Sequence, residues 1–136
     1  MKKAFVLLLL AVLVAGLGGC SKGSDGGSEP PVVSGDTPIE QYKSIMEHMV
    51  KIMDAAEDDA AKAATSLEKF YTKNEAVIKQ IKGNLAQIET DLKDDSNKQV
   101  YDALMGTAAK LALLVDKFKE NANFKEVYDK LKLEKE

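Results

Sequence analysis

The sequence predicts an all-α protein, an antiparallel bundle of three to four helices with coiled-coil-like packing. Three observations predict it. Apolar residues recur at alternating three- and four-residue steps along much of residues 39–131, the period of a helix face. Helix start signals recur where that pattern is interrupted. No stretch alternates apolar and polar residues with the period of two that a half-buried strand needs, so no strands are expected.

The elements are preceded by a different kind of sequence. Met1-Lys2-Lys3 is a short positive segment, residues 4–15 (AFVLLLLAVLVA) carry no charge, and Gly16-Leu17-Gly18-Gly19 supplies small residues before Cys20. Positive, apolar and small-residue regions in that order are the three parts of a signal peptide, here residues 1–19. The apolar run falls short of the ~20 residues that span a bilayer, and its flanking positive charge lies on the N-terminal side alone.

Leu17-Gly18-Gly19-Cys20 resembles the lipobox of bacterial lipoprotein precursors, with Leu three residues before the Cys and small residues between. The resemblance covers only the first twenty residues. It implies that Cys20 is lipidated, that cleavage falls just before it, and that the mature chain begins there. It also implies that the protein's partner at this end is a membrane. Two or more acyl chains would anchor it stably, each buried methylene contributing ~0.8 kcal/mol. Cys20 is the only cysteine, so no disulfide staples the fold and packing must stabilise it. By analogy with lipoproteins of two-membrane bacteria, Ser21 after the cysteine favours the outer membrane, facing the periplasm. In a one-membrane host the same anchor would hold the protein outside the cytoplasmic membrane.

Residues 20–36 form the next division, the lipidated Cys followed by SKGSDGGSEPPVVSGD. Rich in Gly, Ser and Pro and without apolar period, this reads as a flexible linker. The bundle domain then occupies residues 37–136. Thr37-Pro38-Ile39-Glu40 combines an N-cap Thr, a Pro at the first helical position and a Glu at the third, which is a capping box. Ile39, Tyr42, Met46, Met49, Met53, Ala56, Ala60, Ala63, Leu67 and Phe70 follow in unbroken heptad spacing. They predict one long helix over residues 38–71, ~51 Å at ~1.5 Å per residue.

Thr72-Lys73-Asn74-Glu75 offers a second capping box, and the heptad phase slips there with Asn74 on the seam. A break is favoured over a single helix 38–93 containing a stutter. The second helix would carry Ile78, Ile81, Leu85, Ile88 and Leu92. Asp94-Asp95-Ser96, with Gln99 three residues beyond Ser96, caps a third helix holding Tyr101, Leu104, Ala108, Leu111, Val115 and Phe118. Asn123 with Glu126 suggests a last cap before a short helix with Phe124, Val127, Tyr128 and Leu131.

Charge narrows the partners. The chain carries a formal −3, and losing Lys2 and Lys3 with the signal peptide takes it to about −5. Its basic residues are all Lys. Arg is the usual residue for bidentate phosphate and base recognition, so nucleic acid is not an expected partner.

Chemistry-bearing candidates are few. Met46, Met49 and Met53 line one face with His48 between them, a soft donor set that suits Cu(I). The competing reading is that the methionines fill core positions, with His48 about 100° from Met49 and solvent-exposed; core packing is favoured and no metal or other cofactor is expected. Haem would need a second axial ligand, yet no His follows His48, and C-x-x-C-H is missing. Asp54 and Asp58 share a face at i, i+4 beside Glu57 and Asp59, and Asp91, Asp94 and Asp95 cluster later. None makes a calcium loop, and a solvated acidic face explains them. With one His, no thiol left after lipidation and no G-x-S-x-G elbow, catalysis is not expected.

Two packing features remain. Ala56, Ala60 and Ala63 allow a neighbouring helix to come close. Residues 103–115 (ALMGTAAKLALLV) are apolar nearly all round, so something must cover the side turned from the first helices. The final helix is the favoured cover; the alternative is a partner or second copy near Gly106 and Leu113. Gly83 and Gly106 stand mid-helix, each costing ~1 kcal/mol against Ala, without a packing reason. The sequence therefore points to a non-catalytic interaction or tethering lipoprotein, with self-association or an envelope protein as its partnership and copper or small-ligand binding as the alternative.

Overall fold

The computed structural model describes residues 29–133. Residues 1–19, expected to be a signal peptide, with the lipobox-like Leu17, Gly18 and Gly19, and the expected lipidation site Cys20 lie outside them. The described residues form an all-α bundle, with five α-helices and one 3-10 turn: α1 (Pro38–Ala55), α2 (Ala60–Gly83), α3 (Leu85–Leu92), the 3-10 turn (Asp95–Asn97), α4 (Lys98–Phe118) and α5 (Ala122–Leu131). The helix count exceeds the expected three to four because Asn84 alone interrupts α2 from α3.

α1 starts as its sequence dictates. Thr37 Oγ1 accepts from the Glu40 N–H at 3.3 Å, and Glu40 Oε2 accepts from the N–H groups of Thr37 at 3.1 Å and Asp36 at 2.8 Å. These bonds satisfy backbone donors that a helix start leaves open, and they hold the Glu40 carboxyl below its ordinary pKa, the Asp36 bond first.

The long helix expected over residues 38–71 is instead a hairpin. α1 ends at Ala55, and Glu57 adopts a left-handed φ of +56°. Its N–H donates to the Asp54 carbonyl at 3.1 Å, as at many helix C-termini. Asp59 then caps α2, its side chain accepting from the Lys62 N–H at 2.9 Å. Residues 56–59 occupy about one helical turn of sequence, so the heptad spacing runs through the reversal without a visible slip. The apolar stripe continues because both arms of the hairpin bury it against each other.

The break expected at residues 72–75 does not occur, and α2 passes through them. Asn74 is off-pattern for another reason. It is buried, and its amide donates to the Phe70 and Pro31 carbonyls, both at 2.9 Å, while Oδ1 accepts from the Val33 N–H at 2.8 Å. The linker reading needs the matching correction: the folded unit begins at Pro31, six residues before Thr37. Val33 packs on the core there. Gly83 is also displaced from its expected mid-helix place to the end of α2.

Later caps lie close to their expected sites. Asp94, rather than Ser96, caps the 3-10 turn, accepting from the Ser96 N–H at 2.9 Å. Asn121, rather than Asn123, caps α5, accepting from the Phe124 N–H at 3.0 Å.

α1 is the hub. It packs against α2, α4 and, less extensively, α3, while α5 packs on α2. The interior is built from Ile45, Met49, Met53, Leu67, Phe70, Ile78, Ile81, Ile88, Phe124 and Leu131, all essentially inaccessible to solvent. Ala56 and Ala63 are buried as the close-approach reading expects. Glu57→Gly should stabilise the domain by about 1 kcal/mol, since glycine carries no penalty for a left-handed φ. Denaturant unfolding checks this, and the Lys117 contact to the residue 57 carbonyl, at 2.6 Å, survives the change.

Candidate functional site

The methionine face was one candidate. Met46, Met49 and Met53 are all buried, and all three belong to the hydrophobic core. His48 turns elsewhere. It is half-buried rather than exposed, its ring 5.7 Å from that of Phe70 and hydrogen-bonded to the Val32 backbone. Helix geometry places it about 100° from Met49 and about 140° from Met53. The thioethers therefore face the core, while the imidazole faces residues 31–34 and α2. Among the described residues, no group of three or more His, Cys, Asp or Glu side chains is arranged to hold a metal ion.

The acidic residues are mostly occupied. A depression of about 550 Å³ is lined by residues including Glu40, Asp91, Asp94 and Asn97. Glu40 and Asp94 serve as caps; the Ser96 hydroxyl and N–H hold Asp94 below its ordinary pKa. Asp91 accepts from Gln87 Nε2 at 2.7 Å. The carboxylates at the end of α1 and in the turn after it are likewise paired. Asp54 pairs with Lys110 of α4 at 2.8 Å, and Asp58 pairs with Lys117 at 2.6 Å.

Those two ion pairs flank the buried side of α4. Lys110 and Lys117 lie one heptad apart and reach Asp54 of α1 and Asp58 of the turn after it, and Leu104, Leu111 and Phe118 go inward. The outer side carries exposed charges at Asp102 and Asp116 and, beside them, exposed large apolar side chains: Tyr101, Met105 at 53% and Leu113 at 75%. They follow an i, i+4 row through Ala109, also exposed. A side chain built at Gly106 would meet nothing within 4 Å, so Gly106 lies on this open face.

The expected cover is missing. α5 does present Phe124, Val127 and Leu131 to the interior, but it does so against α2, with Lys130 3.4 Å from Glu68. Its link to α4 includes the Phe118–Phe124 ring contact at 5.3 Å. The residues that sequence reasoning missed are Ser44, Asn74 and the 31–34 segment they hold. The available signals were the apolar Val32-Val33 pair in a polar stretch and an Asn on an apolar seam.

Among the described residues no helix is long and apolar enough to cross a membrane. Comparison with family models, curated proteins and solved structures found no match to the chain.

Burial, then the nearby Lys51 charge, lowers the His48 pKa from its ordinary 6.5. The unfolded chain therefore takes up a proton first as pH falls, and stability contributed by neutral His48 is lost below about pH 6.5. Chemical unfolding between about pH 7.5 and 5.5 should show stability falling with pH, and His48→Gln should remove that part of the slope. The lowered carboxyls of Glu40, Asp58, Glu75 and Asp94 act at lower pH, below about pH 5.

Proposed function

We propose that this protein is a lipid-anchored lipoprotein of the cell envelope whose bundle is a non-catalytic interaction module. The anchor reading rests on the complete signal-peptide grammar ending in Leu17-Gly18-Gly19-Cys20 and on Cys20 being the only cysteine. The interaction reading is carried by one observation: α4 leaves Tyr101, Met105 and Leu113 in solvent although the chain has a further amphipathic helix that could have covered them.

The size of that face sets the kind of binding. From Tyr101 to Leu113 it is a strip about 18 Å long and about 10 Å wide. That is roughly 200 Å², below the ~800 Å² per partner of a standard stable interface. Such a contact is weak in solution and becomes effective when both partners are confined to one membrane, which raises their effective concentration. Anchoring and docking thus support each other. In a two-membrane host the site is the periplasmic face of the outer membrane.

The test is crosslinking and affinity recovery of the full protein from its native host, beside Cys20→Ala and Leu113→Glu. A partner recovered with the wild type and lost with both variants supports the reading. Recovery indifferent to both would overturn it. Mass spectrometry of the mature protein should show a diacylated N-terminal Cys20, and an unprocessed Met1 terminus would remove the anchor.

A further inference from the structure

Residues 31–34 form an extended strap lying against α1 and α2. Its backbone is received by side chains. Asn74 binds the Pro31 carbonyl and the Val33 N–H, and Ser44 Oγ accepts from the Ser34 N–H at 3.0 Å. His48 is hydrogen-bonded to the Val32 backbone. As strap numbering falls from 34 to 32, the α1 contact rises from Ser44 to His48, so the strap runs antiparallel to α1. Gly35, at φ +124°, makes the reversal into α1; a Cβ there would stand 2.6 Å from that of Glu40. The receiving groups are built for the purpose. Asn74 is 4% exposed, and a buried amide of this kind is costly unless its donors and acceptor are met. The strap meets all but the bond to Phe70.

We propose that the strap is a latch that moves the mooring point of the bundle from the head of α1 to the groove beside Ser44, His48 and Asn74. The proposal rests on the anchor at Cys20. Covalent geometry limits a chain to ~3.3–3.6 Å per residue, so Cys20 can lie up to about 60 Å from Thr37 but only about 40 Å from Pro31. The latch removes about a third of the possible reach. It also makes the α1/α2 groove, rather than the outer face of α4, the side tied to the bilayer.

The test couples the mature chain, residues 20–136, through its only thiol to maleimide lipid in phosphatidylcholine vesicles. Chemical coupling keeps the result independent of natural lipidation, which mass spectrometry tests separately. Two measurements are made by NMR, amide exchange and broadening by a paramagnetic headgroup lipid. The Val33 and Ser34 amides should be protected, and Asn74→Ala should speed their exchange more than about tenfold while α1 amides stay protected. Residues near His48 and Phe70 should broaden more than Ala109 and Leu113, and the difference should shrink in the variant. Val33→Pro, which removes the strap's donor to Asn74 and leaves the helix sequences unaltered, should speed Ser34 exchange and shrink the broadening difference in the same way if Asn74→Ala fails to fold. Val33 and Ser34 amides exchanging as in an unstructured peptide, or a broadening pattern unchanged when the strap is released, would overturn the latch.

Discussion

The reversal at residues 56–59 is the constraint on which the rest of the molecule depends. It lays α2 back along α1 with a definite register. His48 and Phe70 stand eleven residues either side of Asp59 and touch, their rings 5.7 Å apart. Ser44 and Asn74 stand fifteen residues either side and hold the same strap. A shift of a few residues in that turn would separate the groups that receive residues 31–34 and would leave a buried amide without partners. The register also brings the alanine stripe together near the turn, where small side chains let the helices approach, and places the larger Met49, Leu67 and Phe70 farther along. Shape and polarity therefore agree on one pairing of the two helices, the kind of mutual support that distinguishes a single native state.

Surface charge has a different role. The ion pairs from α4 to Asp54 of α1 and to Asp58 of the 56–59 turn involve exposed side chains, Asp58 at 93%, where such pairs contribute little to stability. Burial of Leu104, Leu111 and Phe118 sets which side of α4 turns inward, and Lys110 and Lys117 flank that buried side. The core itself contains few polar groups, and among the described residues no buried side-chain nitrogen or oxygen lacks a hydrogen-bond partner. A small bundle without a disulfide has little stability to spare, so an uncovered apolar row on α4 stands out against an otherwise well-satisfied interior.

Taken with the proposed anchor, these features describe a domain whose two sides differ. The α1/α2 groove holds the approaching chain, and α4 carries the open apolar row. Ser44 and His48 lie on α1 toward the strap, whereas Asp54 lies about 240° round the helix from His48 and meets α4. A tethered module needs such a difference if its docking face is to remain accessible while its mooring point is held near a surface.

Much of the fold was legible in the sequence because it rests on local chemistry. The Thr37–Glu40 capping box, the apolar helix periods, the core methionines and the absence of strand patterning are each properties of a few neighbouring residues. What only the tertiary structure decided involves partners distant in the chain. The hairpin at Glu57 is silent in the spacing because its turn matches one helical turn in length and contains neither Gly nor Pro. Asn74 resembles a helix break until Pro31 and Val33, more than forty residues earlier, are found bound to it. Which neighbour α5 would choose could not be read from its own apolar face, which suits α2 and α4 alike. Local sequence sets which side of a helix is apolar; only the packed chain decides which of those sides meet and which one is left to water.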